Sequence, residues 1–131
     1  MERLTARIAM QLMTGDEHSR DLDVAWSYRP DDPYAIDLDF STFQADAVWT
    51  ISRDLLTAGI HRPVGEGDVH VTPFDDTRLL IALAGNEGVA LLATSAAEVD
   101  RFVTATTDLV PAGSEHTRID WAGGLEDLLT S

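Results

Sequence analysis

Leu4, Ala6, Ile8, Met10 and Leu12 alternate with Arg3, Thr5, Arg7, Ala9 and Gln11, and a period of two over that length predicts a long strand with one buried face. The polar stretch Thr14–Arg20 predicts a turn. Alternation resumes with Leu22, Val24, Trp26 and Tyr28 inward and Asp21, Asp23, Ala25 and Ser27 outward. Pro30 and Pro33 stop it, because prolines cannot belong to a central ladder. Ile36, Leu38 and Phe40 then point inward around Asp37 and Asp39. If these two strands pair antiparallel, inward must face inward, so Trp26 stands opposite Ile36 or Leu38 and never opposite Asp37. Gln44-Ala45-Asp46 turns the chain into a fourth strand, Val48-Trp49-Thr50-Ile51.

A short helix follows. Ser52 can cap it, Asp54 suits the positive end of its dipole, and Leu55 and Leu56 anchor it. Gly59 stands where a left-handed residue ends a helix. From His61 to Asp68 the chain reads as a stiff loop in which Pro63 pre-sets a turn and Gly65 and Gly67 take backbone angles that penalise a side chain. Val69 and Val71 restore alternation, and Pro73–Thr77 is a loop. Leu79–Ala84 and Val89–Ala93 form a hairpin around Gly85-Asn86-Glu87-Gly88. Its arms are apolar almost without a break, which predicts burial on both faces, against a helix or another subunit. Leu80, Ile81 and Leu91 are therefore candidate interface residues.

Ser95 and Glu98 form a capping box for the clearest helix, in which Val99, Phe102, Val103, Thr106 and Val110 keep the helical period until Pro111. Asp120 can cap a last helix with Trp121, Leu125, Leu128 and Leu129 on one face, weakened by Gly123-Gly124. The pattern predicts an α+β domain spanning residues 1–131: a strongly bent antiparallel sheet of about seven strands with two main helices, near Ser95–Val110 and Trp121–Leu129. No internal repeat is visible.

Composition narrows the chemistry. The net charge is −14, and all nine basic residues are arginine, so a surface that binds phosphates by clustered cations is not expected. There is no cysteine, hence no disulfide framework and no thiolate chemistry. No stretch approaches the roughly 20 apolar residues that span a bilayer, and the start lacks a signal-peptide block, which points to the cytoplasm.

Candidate chemistry is sparse. Asp16, Glu17 and His18 share one loop, as do Glu115, His116 and Asp120, but a metal needs further converging ligands. His61 and His70 beside Glu66 or Asp68 lack a shaped pocket for acid–base work. Gly65-Glu66-Gly67-Asp68 has neither the lysine nor the following helix of a phosphate loop. Trp26, Tyr28, Tyr34, Phe40, Phe43 and Trp49 resemble a base-stacking platform, yet most lie on inward phases. No catalytic, cofactor or metal residue is assigned. The stretch His61, Arg62, Pro63, Gly65, Gly67 and Asp68 is expected to shape the fold or an oligomer contact. Arg62 is expected to hold loop carbonyls or a carboxylate such as Asp54 or Asp68.

The gapped pattern from Arg53 to Pro73, RDLL-x-x-G-x-HRP-x-G-x-GDV-x-V-x-P, resembles the signature of the SsgA-like proteins of sporulating actinomycetes, most of all their SsgB type. Asp32-Pro33-Tyr34-Ala35 precedes it, and Phe102, Thr106, Leu109-Val110-Pro111, Gly113 and Glu115 continue it. The resemblance implies a non-enzymatic cell-division protein that helps place the tubulin-like GTPase FtsZ at sporulation septa, directly or through another SsgA-like protein. It also implies a Whirly-like fold, self-associated as a homotrimer. The rival reading that such a fold brings is single-stranded nucleic-acid binding. The charge argues against it: fluorescence anisotropy is expected to give no saturable binding of an unstructured oligonucleotide below about 100 μM protein in physiological salt. Tight, salt-sensitive binding would contradict this.

Overall fold

Strands β1 (Leu4–Gly15) and β2 (His18–Tyr28) pair along their whole length, from Leu4 opposite Tyr28 to Gly15 opposite His18. The structure, a computed structural model, describes residues 3–15, 17–41, 43, 47–86 and 88–118. Gly15 and His18–Arg20, expected in a turn, pair in this ladder, and Thr14 sits at the register shift between Met13 and Gly15. Backbone pairing does not depend on side-chain polarity, and these residues are exposed on both faces. β3 (Ala35–Asp39) joins β2 with Trp26 opposite Leu38, one of the two registers that alternation allows. β4 (Val48–Ser52) pairs with β3 and runs directly into α1 (Arg53–Gly59).

The second half repeats this plan. β5 (Val64–Glu66), β6 (Val69–Pro73), β7 (Arg78–Gly85) and β8 (Gly88–Ser95) form a meander that runs directly into α2 (Ala96–Leu109). A 3-10 turn follows at Glu115–Arg118. Both helices are capped alike: Ser52 Oγ accepts from Leu55 N–H and Ser95 Oγ from Glu98 N–H, each at 3.2 Å. The eight antiparallel strands lie in the order β4-β3-β2-β1-β8-β7-β6-β5, curled into a half-barrel. The two halves meet where β1 pairs β8 through Met10–Thr94, Gln11–Ala93 and Leu12–Leu92. So a strand-and-helix plan is used twice, although the amino-acid sequence shows no repeat.

The extra strand relative to expectation is β5. Its three residues pair with Val69–Val71 inside the stretch that Pro63 and two glycines made look like loop. Gly59 is not left-handed; a Cβ there would collide with the Val71 side chain, so glycine is needed for the close approach of α1 to β6. The predicted helix near Trp121–Leu129 lies outside the described residues.

Cross-strand registers settle which side chains share a face. Ile8, Met10, Val24, Trp26, Ile36, Leu38, Ile81 and Leu92 point into the curl and are buried beneath α1 and α2. Trp26 meets Phe102 of α2 edge-on, with ring centres 5.9 Å apart. Inward and outward positions therefore predict opposite sensitivities. Ile81→Ala is expected to lower unfolding free energy by about 2–5 kcal/mol, and Val48→Ala, at the exposed edge, by less than about 1 kcal/mol. Urea denaturation followed by tryptophan fluorescence checks the contrast.

Candidate functional site

Among the described residues the most elaborate polar site is internal. Arg53, the first residue of α1, is 3% exposed. One guanidinium nitrogen donates to the Tyr28 hydroxyl at 3.1 Å and to the carbonyls of Thr106 and Val110 at 3.2 and 2.8 Å. The other donates to Glu115 Oε1 at 2.6 Å. The charge also lies over the Tyr28 ring, 5.4 Å from its centre. The Tyr28 hydroxyl donates in turn to the Pro33 carbonyl at 3.0 Å, and the Arg53 backbone N–H donates to the Tyr34 carbonyl at 2.8 Å. The two helix carbonyls sit at the C-terminal end of α2, where a cation is favoured.

Glu115 completes the site. Its second oxygen accepts from Gly113 N–H at 2.9 Å. Hydrogen bonding by its own backbone amide, then by the Arg53 guanidinium and by Gly113, holds its carboxyl below the ordinary value of 4.5. The arrangement is built from groups that bond one another. It fastens the start of α1 and the end of α2 to the β2–β3 side of the sheet.

The fixed contact to loop carbonyls or to Asp54 or Asp68 that is expected of Arg62 does not occur among the described residues, and the buried, fully bonded arginine is Arg53. The Arg62 side chain is exposed and makes no hydrogen bond or ion pair among the described residues; only its backbone N–H is held, by Ala58 O at 3.1 Å. Arg62 stands in the exposed turn past the end of α1, whereas Arg53 opens the helix on its buried side, against the end of α2. His61 and Pro63 are exposed in the same turn. Gly67 has φ +58, a conformation that a side chain would resist. Gly65 differs from expectation: its backbone is ordinary strand, and the constraint is the His70 ring packed where its Cβ would be. Asp68 is exposed, and its carbonyl accepts from Ala84 N–H at 2.8 Å, tying the loop to β7. The signals that could have found Arg53 were an arginine directly after a helix-capping serine in an apolar setting, and a later glutamate within the same family pattern.

The hairpin candidates part company. Ile81 is inward and fully buried, a core residue. Leu80 and Leu91 point outward, beside Ala82, Ala84, Val89 and Ala93 across paired positions of β7 and β8. Val89 is 62% and Leu91 39% exposed. The outer face of β2 and β3 is polar by contrast, carrying Asp21, Asp23, Asp37 and Asp39. No group of three or more His, Asp or Glu side chains converges as a metal site among the described residues. No helix among them is long and apolar enough to cross a membrane.

Residues 22–115 match the family model described as Streptomyces sporulation and cell division protein, SsgA. The chain belongs to this family. The matched span contains Tyr28, Arg53 and Glu115. The sporulation-specific cell division protein SsgB of Streptomyces coelicolor is 35% identical over 130 residues, 96% of this chain and 95% of its own. The SsgB of Thermobifida fusca is 37% identical, covering 89% and 88%. A solved structure, described under mutations in SsgB that correlate to longitudinal cell division during sporulation of Streptomyces coelicolor, superposes with a TM-score of 0.84 at 34% identity, over 89% of this chain and 95% of that one. The crystal structure of an SsgA-like sporulation-specific cell division protein from Thermobifida fusca gives 0.83 at 33%, over 96% and 95%. Membership supports a role in sporulation cell division.

The Arg53–Glu115 pair has a pH consequence. Since the folded carboxyl titrates below its unfolded value, the unfolded chain takes the proton first; the stabilisation is complete above about pH 4.5 and is lost as pH falls through the folded value. Asp75, held to about 2 chiefly by the Arg78 guanidinium and then Thr77 N–H, acts in the same direction, so variant and wild type must be compared at matched pH. Glu115→Gln is expected to be less stable than wild type at pH 7 and to lose less stability between pH 5 and 3. Arg53→Met, which strands a buried carboxylate, is expected to lose about 3 kcal/mol or more. Urea unfolding at several pH values measures both.

Proposed function

We propose that the chain is a non-enzymatic adaptor of sporulation septation: it self-associates, as a homotrimer, and helps to recruit or position the FtsZ machinery at septa in the cytoplasm. The observation that carries this reading is the apolar outer face of β7 and β8, on an otherwise acidic protein. Core packing does not need Val89 or Leu91 exposed, and an apolar patch on a sheet face is the usual mark of a protein contact. The internal site supports the same reading, since its one buried ion pair is fully engaged in fastening elements and none of its groups is free for chemistry. Family membership supports the cell-division setting.

Self-association gives the mechanism. Several weak sites on one assembly engage a polymer with a high effective concentration, so avidity exceeds the affinity of each contact. Paired copies would also bury the alternating Val89, Leu91 and Leu80 row. His61, Arg62, Pro63, Gly65, Gly67 and Asp68 shape the fold beside this face and take no part in chemistry.

The test is assembly and polymer binding together. Wild type is expected to sediment as an oligomer at micromolar concentration and to co-pellet with FtsZ filaments. Leu91→Asp combined with Val89→Asp is expected to be monomeric, with an unchanged circular dichroism spectrum and at least tenfold less co-pelleting. A wild type that is monomeric at that concentration, or a monomeric variant that still co-pellets in full, would overturn the reading.

A further inference from the structure

The two edges of the sheet are guarded unequally. β5 is three residues long, carries Glu66 and is followed at once by left-handed Gly67, features that discourage strand addition. β4 reads Val48-Trp49-Thr50-Ile51-Ser52, without charge or proline, and pairs with β3 without a bulge. Its hydrogen-bonding phase follows from its two ends. Phe40 N–H donates to Ala47 O at 2.7 Å and Arg53 N–H to Tyr34 O at 2.8 Å, both in the register that sets Leu38 opposite Trp49 and Ile36 opposite Ile51. In an antiparallel ladder, pairs that exchange bonds alternate with pairs that do not. The backbone groups of Trp49 and Ile51 therefore face β3, while those of Val48 and Thr50 face away from the sheet. Both residues are exposed, and no backbone hydrogen bond to these outward groups occurs among the described residues.

This edge borders an open cleft that contains a small apolar pocket. The half-barrel is open between its β4 and β5 edges, and α1 bridges one end of the opening, from β4 across to β6. Toward the other end, Trp49 and Leu83 border an open depression of about 490 Å³ that also takes in Asn86 and Val89, and its apolar part, between Leu12, Phe40, Trp49 and Leu92, is a pocket of about 100 Å³. Trp49 forms the wall on the β4 side, because it lies on the inward phase of that strand. The opposite phase is acidic: Val48 stands opposite Asp39 and Thr50 opposite Asp37, and Asp37 accepts from the Thr50 hydroxyl at 2.7 Å.

We propose that the free edge of β4 receives an extended segment of a partner protein, apolar at alternate positions and basic at the positions between. Each property has its own source. Free ladder groups require an extended backbone. The cleft beside Trp49 takes the inward side chains. Asp37 and Asp39, two strand spacings or about 10 Å away, favour arginine or lysine on the outer side, as does the net charge of −14. The proposal rests on neither self-association nor FtsZ, although the cleft beside Trp49 also reaches Val89 of the β7–β8 hairpin.

The probe is the acetylated, amidated heptapeptide Arg-Val-Arg-Leu-Arg-Val-Arg, added to the full chain in physiological salt and followed by amide NMR and tryptophan fluorescence. Saturable binding is expected, with shifts centred on Val48–Thr50 and slowed exchange of the Thr50 amide. Thr50→Pro removes the outward N–H without touching the β3 ladder and is expected to weaken binding at least tenfold. Thr50→Val keeps that N–H, lacks the same hydroxyl, and is expected to bind as wild type does. Should Thr50→Pro fail to fold, the shift map and the peptide with glutamate in place of arginine, expected to bind at least tenfold more weakly, decide alone. No saturable binding, equal binding by Thr50→Pro, equal binding of the glutamate peptide, or shifts on Leu80 and Leu91 instead of β4 would each overturn the proposal. So would a lower oligomeric state of Thr50→Pro without peptide, which would show the edge pairing copy with copy.

Discussion

A guanidinium keeps its proton inside a protein, so burying Arg53 obliges its surroundings to supply acceptors. They come from distant parts of the chain: a hydroxyl of β2, two carbonyls at the end of α2 and a carboxylate beyond it. None of these can move away singly without leaving a desolvated charge short of partners. A buried ion pair seldom adds much over apolar packing, but it penalises every arrangement that separates its members. Here it selects one docking of α1 and α2 against the sheet. That docking covers the inner face of the half-barrel, where Phe102 of α2 meets Trp26.

The fold was legible wherever a period met a stop signal. Trp26 opposite Leu38 followed from the need to keep aspartates out, and Ser52 and Ser95 announced their helices through capping chemistry. What was not legible is what the backbone does regardless of side chains. Thr14–Arg20 looks like a turn because it is polar, yet an exposed hairpin end needs only its ladder. β5 hides behind Pro63 and its glycines for the same reason.

The candidate site was legible in part. The arms LLIALA and VALLA carry more apolar surface than one core uses, but a continuous apolar run carries no phase. Only the pairing partners separate inward Ile81 from outward Leu80 and Leu91. Arg53 escaped because its meaning lies in Glu115, 62 positions away. No local pattern encodes a contact of that span, whereas the turn signals around Arg62 are local and say nothing of burial.

The seam between the two halves bears on how the chain is made. β1 has β2 beside it almost as soon as it is synthesised, but its other neighbour is β8, which meets it through only three pairs ending at Thr94. Until the ribosome has released that residue, the first four strands carry an unzipped flank and an uncovered apolar side. Sheet closure thus waits on the last strand, and the newborn chain spends that interval as a protein with a sticky border, the state in which chaperones recognise their clients and neighbouring nascent chains entangle.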